Sequence, residues 1–299
     1  MKWFSESIGN VSGFGLPEPD EPRKRVEFCG EGIWESVGCR SGFPDDALVV
    51  LDERNTLYDY GLKDIDAFRR SIGTKTLGII CKKLYTPRGS GQRRWVNSQD
   101  GRSNFNANIF LELDRPALTP VQIFSLQQKI SLAIVRTIEA YAKNDRVEIR
   151  YPFHYVMNGG KIAGHLLQSR KTATGSILRI GIGINSDFAP ELPKNDDLAK
   201  CLYGAPVSLG LEPDDWLGLY LRLNSDIREH LAMDSCHEGY RERLSPKVGD
   251  AVRIFADDGS IRIGAPLAYA RLEEVAEDGK LRLDDGRDYG AEYHVQKSR

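Results

Sequence analysis

Two long amphipathic helical stretches set among apolar strand-like runs, then a tail of short strands cut by Asp-Gly turns, predict an α+β chain. The 299 residues suffice for one large core plus a small satellite. The divisions expected are an extension over residues 1–45, a catalytic-sized α+β domain over 46–245, and a small β domain over 246–299.

The first 45 residues are rich in Gly, Pro and charge, with scattered aromatics at Trp3, Phe4, Phe14, Phe28, Trp34 and Phe43. That texture reads as an extension pinned to the body by apolar anchors, without the periodicity of a helix-turn-helix module. Ala47–Leu51 is a short buried strand, and Asp64–Arg70 a polar helix. Thr76–Cys81 is a second strand, leading into a loop loaded with Gly and Arg. Asn106–Leu113 is a further strand. Thr119 and Pro120 then supply an N-cap and a first-turn proline for the longest helix. Its Ile123, Leu126, Ile130, Ile134 and Ile138 recur three or four apart and form one core-facing stripe.

Val147–His165 reads as a strand pair around Asn158-Gly159-Gly160, because Asn-Gly tolerates the positive φ of a tight hairpin turn. Ile177–Ile184 alternates and is a central strand; Asp214–Met233 is a second amphipathic helix with Trp216, Leu219, Leu223, Ile227 and Leu231 along one side. After Ser245-Pro246, turns at Asp257-Asp258-Gly259, Glu277-Asp278-Gly279 and Asp284-Asp285-Gly286 suggest a small barrel or SH3-like unit.

A formal net charge of −2 excludes a global basic field of the kind that drives indiscriminate nucleic-acid binding. No apolar run approaches the roughly 20 residues that cross a bilayer, and the amino terminus has no secretory pattern. The five cysteines, Cys29, Cys39, Cys81, Cys201 and Cys236, are scattered and lack a Cys-x-x-Cys pair, so neither a disulfide framework nor a metal site is expected. A reducing cytoplasm follows as the expected compartment.

Three constellations could carry chemistry. Arg88-Gly89-Ser90-Gly91-Gln92-Arg93-Arg94-Trp95 follows a strand. Its glycines let backbone N–H groups approach an anion and its arginines offer forks to phosphate or carboxylate, although the same texture suits a solvated surface turn. Lys161-Ile162-Ala163-Gly164 follows the hairpin turn. A strand-borne lysine there can neutralise a carboxylate and an α-phosphate brought together, and it can equally be an exposed, dispensable cation. Gly181-Ile182-Gly183-Ile184-Asn185 is either a core strand needing small residues or a shelf for a flat ligand, with Asn185 offering polar groups at its end.

Taken in order, these motifs resemble those of the biotin protein ligases, within the biotin/lipoate ligase group. That family carries Gly-Arg-Gly-x-x-Gly-Arg-x-Trp after a strand, then Lys-Trp-Pro-Asn-Asp, then Lys-Leu-Ala-Gly-Ile, and finally Gly-x-Gly-Ile-Asn. Here Arg88-Gly89, Arg93 and Trp95 keep their mutual spacing, Pro152 and Lys161-Ile162-Ala163-Gly164 keep their offset, and Gly181–Asn185 closes the series. The resemblance covers about residues 45–299, without the amino-terminal DNA-binding module of some members. It implies a class II aminoacyl-tRNA synthetase-like mixed sheet with flanking helices, followed by an SH3-like domain. It also implies that biotin and ATP, with Mg²⁺, give biotinyl-adenylate, and that a lysine of a biotin carboxyl carrier-type domain then takes the acyl group. By position Lys161 bridges the carboxylate and the α-phosphate. Arg88, Gly89, Gly91 and Arg93 lie in the loop that orders over the ligands, and Trp95 anchors it. Gly164 sits on the biotin side, and Ile184 and Asn185 on the adenylate side. No nucleic-acid or membrane partner is implied; a homodimer is compatible.

The departures cluster at binding positions. Lys-Trp-Pro-Asn-Asp is replaced by Arg150-Tyr151-Pro152-Phe153-His154, exchanging an amide and a carboxylate for an aromatic ring and an imidazole, a poor ligand for a hard cation. The family's Asp-Ser-Thr-Asn, whose hydroxyls hydrogen-bond the biotin urea, aligns with Asp52-Glu53-Arg54-Asn55. The first loop glycine is Pro87 and the third is displaced to Gly91. Glu53, Arg54, Phe153 and His154 are therefore expected to remodel the pocket. Two readings follow: a ligase acting on biotin or another acyl group, or an inactive relative that binds a carrier domain or a small acid.

Overall fold

The computed structural model describes residues 2–5, 24–36, 45–89, 95, 103–115, 118–143, 145–192, 204–256, 265–290 and 293–298. Strands alternate side chains between two faces, and here that alternation sorts the apolar residues into two cores, one on each side of a large sheet. The strands are β1 (Lys2–Ser5), β2 (Lys24–Phe28), β3 (Glu31–Ser36), β4 (Asp46–Arg54), β5 (Thr76–Leu84), β6 (Phe105–Leu113), β7 (Val147–Arg150), β8 (His154–Met157), β9 (Gly160–Lys171), β10 (Ser176–Ile184) and β11 (Leu244–Ser245). They form an 11-stranded mixed sheet in the order β11-β7-β8-β9-β10-β6-β5-β4-β1-β3-β2.

On one face, Val49, Ile79, Phe110 and Ile177 meet helix α1 (Leu62–Ser71), whose Ile65 and Phe68 point inward. On the other, Leu48, Ile80, Ile109 and Ile180 meet helices α2 (Pro120–Tyr141) and α3 (Trp216–Ala232). α2 begins as its sequence predicts. Thr119 Oγ1 accepts from the Gln122 amide at 3.3 Å while Gln122 Oε1 accepts from the Thr119 amide at 3.0 Å, a reciprocal cap. Ile130, Ile134 and Ile138 are fully buried, as are Trp216, Leu219, Leu223 and Ile227 of α3. Gly78 lies on this face beneath α3; a Cβ there would collide with the Tyr220 ring and hydroxyl.

Two elements differ from expectation. Strands β1, β2 and β3 lie in the first 45 residues and continue the sheet, β1 running parallel to β4. Phe4 and Phe28 are buried anchors, packing against Phe68 at ring-centroid distances of 5.5 and 4.9 Å. β1 pairs with distant sequence, β2 and β3 form a local hairpin across Cys29-Gly30, and all three are too short for periodicity to register. The segment 147–165 is also three strands rather than two, because the chain reverses at residues 151–153, around Pro152, and β7 and β8 pair as a hairpin. The hairpin turn itself forms as read, with φ of 51° at Asn158 and 77° at Gly159.

Beyond the short helix α4 (His237–Arg243) lies a second, antiparallel sheet of five strands: β12 (Ala251–Ala256), β13 (Ala268–Val275), β14 (Leu281–Leu283), β15 (Asp288–Tyr289) and β16 (Tyr293–Lys297). The turns at Gly279 and Gly286 carry positive φ, while Asp257-Asp258-Gly259 falls outside the described residues. Val252, Leu272, Leu281 and Tyr289 join the helix-side core of the large sheet, so the two sheets share one apolar interior. The Tyr151 hydroxyl donates to the Gly279 carbonyl at 2.7 Å across this junction. No helix among the described residues is long and apolar enough to cross a membrane.

One buried polar relay runs through the helix-side core. His165 Nδ1 lies 2.6 Å from Tyr155 Oη, which donates to Ser131 Oγ of α2 at 3.1 Å. Burial pushes the His165 imidazole down from 6.5 to about 3. Between those values the unfolded chain binds a proton that the folded chain refuses, so stability falls as pH drops through that window.

Two predictions follow from this packing. Gly78→Ala should destabilise the chain by about 1–3 kcal/mol in urea unfolding, through overpacking against Tyr220. For the relay, wild-type stability relative to His165→Gln should fall by roughly 1 kcal/mol per pH unit between about pH 6 and pH 4. Parallel pH profiles for the two proteins would contradict a neutral buried imidazole.

Candidate active site

Strand pairing lays out a cleft on the α1 side of the sheet, residue by residue. Cross-strand neighbours share a face, so His154, Gly164, Gly183 and Asn106 form one row across β8, β9, β10 and β6. The next row is Leu166, Gly181 and Asn108. Thr56–Tyr58, in the turn after β4, and Pro87–Gly89 with Trp95, after β5, form the walls of a pocket that opens to solvent. Ala107, His165 and Ile182 contribute only strand backbone beneath it, since their side chains belong to the opposite face.

Lys161 and Gly164 are three apart, and strict alternation would send them to opposite faces. A bulge prevents this. Tyr155 pairs with Ala163 and the next residue, Val156, with Lys161, leaving Ile162 as the extra residue and turning Lys161 to the cleft side. Asn185 braces the bulge: its Nδ2 donates to the Lys161 carbonyl at 3.0 Å and its backbone N–H to the Ile162 carbonyl at 2.8 Å. The Val207 amide also donates to the Lys161 carbonyl, at 3.1 Å.

Trp95 lies flat on the glycine row. A Cβ on Gly183 would come within 2.9 Å of its indole and one on Gly164 within 3.3 Å, so side chains at either position would lift the ring off the sheet. Lys161 Nζ stands 5.3 Å from the indole centroid, a cation–π contact. The backbone N–H of Trp95 donates to the Pro87 carbonyl at 2.9 Å, tying the two ends of the Arg-rich loop together. Arg88 and Gly89 line the cleft, while Gly91 and Arg93 fall outside the described residues.

The second row ends at Tyr58. Its ring packs on the guanidinium of buried Arg179, 4.9 Å from the centroid, and its hydroxyl hangs over Gly181. Burial raises the Tyr58 phenol to about 12, against the opposing pull of Arg179 and Arg88, so it stays neutral and able to donate. Asn108 Nδ2 donates to the Leu57 carbonyl at 3.3 Å, which aims Oδ1 at the cleft. Tyr58 Oη, Asn108 Oδ1 and Trp95 Nε1 are buried without a hydrogen-bond partner. Such groups cost roughly 1–3 kcal/mol each when left unpaired, and all three residues line the cleft.

Most of the positions flagged as an altered pocket lie elsewhere. Glu53 points outward, accepting from the Tyr85 hydroxyl at 2.5 Å with Lys83 at 3.6 Å. Arg54 donates to Tyr60 Oη at 2.6 Å and pairs with Glu31 of β3. Phe153 faces the helix-side core, 5.8 Å from Phe124 and 5.1 Å from His165 between ring centroids. Of the four, His154 alone is among the cleft residues. The Ile184 side chain is buried in the helix-side core, away from the cleft. Sequence reasoning passed over Tyr58, Asn106 and Asn108. The signal was available in Asn-Ala-Asn, two amides at period two inside an otherwise apolar strand.

Electrostatically the cleft suits an anion. Arg88 and Lys161 line it, and its described lining includes no Asp or Glu. No group of three or more potential metal ligands occurs among the described residues.

No family model matches the chain. Among curated proteins, a biotin–[acetyl-CoA-carboxylase] ligase of Paracoccus denitrificans is 29% identical over 115 residues, 38% of this chain and 45% of that protein, so the match spans under half the relative's length. The biotin protein ligase of Aquifex aeolicus in complex with biotin and ATP superposes with a TM-score of 0.58 at 15% identity, covering 84% of this chain and 99% of that one. The biotin protein ligase of Leishmania major in complex with biotinyl-5-AMP gives 0.51 at 16% identity, covering 85% and 99%. The mixed sheet with its smaller antiparallel partner is therefore the biotin protein ligase fold, and over 115 residues the sequence, too, is similar to a member of that family.

Proposed function

We propose that this chain is an ATP-dependent protein ligase of the biotin type, acting on biotin or a related acid. The observation that carries the reading is the meeting of Lys161, Trp95, Gly164 and Gly183 in a cleft lined by Arg88 and by no described carboxylate. In the first step a carboxylate oxygen of the acid attacks the α-phosphorus of ATP and pyrophosphate leaves. Two anions must approach for this, and the Lys161 ammonium, held by the braced bulge, offsets their repulsion. In the second step a carrier-domain lysine amine attacks the acyl carbon and AMP leaves. Trp95 and its loop shield the mixed anhydride from water in between.

The Mg²⁺ expected with ATP finds no carboxylate in the described lining, where His154 stands in place of one. The acceptor is read as a carboxyl carrier-type domain, the compartment as cytoplasm, and the five-stranded sheet as an SH3-like unit. A binding-only reading draws on the same missing carboxylate: the cleft would hold a carboxylic acid without activating it.

Incubation with α-phosphate-labelled ATP and, separately, biotin, lipoate and octanoate divides the two. The ligase reading expects a labelled acyl-adenylate with at least one acid; labelled adenylate with none of them leaves the binding-only reading. Lys161→Ala should cut adenylate formation at least ~100-fold while moving the thermal midpoint little, since surface-side changes stay within about ±0.5 kcal/mol.

A further inference from the structure

We propose that β2 is a self-association edge, at which a second copy of this chain pairs its own β2 antiparallel about a two-fold axis at Val26 and joins the two large sheets into one. The inference is independent of the reading of the cleft. It concerns residues 24–36, outside the span of 45–299 that carries the resemblance, so this interface is not among the things the resemblance implies.

β2 ends the large sheet, and its outer side carries no strand partner among the described residues. Which of its backbone groups point outward follows from the hairpin it forms with β3. The connecting turn is Cys29-Gly30, with φ of 49° and 88°, so Phe28 and Glu31 close it as a hydrogen-bonded pair. Antiparallel pairs alternate between bonded and non-bonded, which makes Val26 and Ile33 the next bonded pair. Arg25 and Glu27 fall on the non-bonded positions, opposite Trp34 and Gly32. Their N–H and C=O groups therefore face the open edge, where they are a template for a further strand.

The same two residues make the edge self-complementary. In the register centred on Val26, Arg25 of each subunit lies opposite Glu27 of the partner subunit, and the pair exchanges its backbone hydrogen bonds. Both side chains are exposed, and neither forms an ion pair or a side-chain hydrogen bond with a described residue of its own chain. Across the two-fold axis each cation meets the other strand's anion, an isologous match. The neighbouring registers that also bring outward-facing groups together centre on Arg25 or on Glu27, and they set like charges opposite one another. Val26 faces the α1 side, half-buried against the cluster that holds Phe4 and Phe28. Opposite its own copy, at the close approach of a non-bonded pair (about 4.5 Å between Cα atoms), it carries that apolar layer across the seam.

Sedimentation velocity of the full chain over a rising micromolar concentration series tests this, with a monomer–dimer equilibrium expected. Arg25→Glu and Glu27→Arg each oppose like charges and should weaken the dimer at least ~10-fold. Mixing the two variants in equal amounts should restore it, because each offers the charge that the other now lacks. The double variant, with the charges exchanged within one chain, should dimerise like the unmodified protein. In hydrogen exchange, concentrated protein should protect the amides of Arg25 and Glu27 more than dilute protein does, while the amide of Val26, bonded within the hairpin, changes little. A chain that stays monomeric throughout the series, a dimer indifferent to both single reversals, or a mixture of folded variants that stays monomeric overturns the proposal. Where a reversal fails to fold, the exchange pattern decides: a dimer without added protection at Arg25 and Glu27 overturns it equally.

Discussion

Side-chain alternation along the large sheet decides where everything else in this molecule can be. Each strand sends every second residue to the helix-side core and the others to α1 or the cleft, so most positions are assigned a compartment by parity alone. The bulge at Ile162 is the place where that rule is bent, and the cleft depends on it. Without the extra residue, strict alternation would send the Lys161 side chain to the helix-side core, away from the cleft. Asn185 holds the bent segment from the neighbouring strand end, which couples the last residue of one motif to the first residue of another.

The glycines make sense on the same terms. Gly164, Gly181 and Gly183 occupy cleft-side positions on adjacent strands, and each lies under a side chain that arrives from a loop: Trp95 over two of them and Tyr58 over the third. A sheet is ordinarily stabilised by cross-strand side-chain pairs, so three bare positions weaken it locally. What they provide is depth. The aromatic rings come to rest against backbone rather than on top of other side chains, and the polar atoms they carry face inward.

Much of this was legible in the sequence, for physical reasons that differ by element. The long helices were read from stripes such as Ile130, Ile134 and Ile138, because a helix packed on one side repeats its apolar residues every three or four positions. The hairpin at Asn158-Gly159 was read from the one backbone conformation such residues tolerate readily. Strands β1 to β3 were not read, because strands of four to six residues carry almost no periodic signal and β1 finds its partners far away in the chain. In the cleft, Lys161, Trp95, Gly164 and Gly183 followed from motif spacing. Asn106 and Asn108 were recognised as strand residues, yet their shared parity with Gly183 and Gly181 required the register. Glu53 and Arg54 misled for a related reason: they are the last two residues of β4, where side chains can turn to either flank, and here both found partners outside the cleft.

Phe153 and His154 are consecutive, yet they face opposite ways. Phe153 sits in the aromatic cluster with Phe124 and Tyr240 beside the five-stranded sheet, while His154 closes the glycine row of the cleft. One peptide unit therefore belongs to two surfaces with different demands. In an evolving lineage, the contacts that seat the small sheet and the chemistry at this corner of the cleft cannot drift independently. A change of side-chain size at Phe153 would be felt through the shared backbone at His154, which makes the seam between the sheets a place where ligand preference can be retuned from outside the pocket.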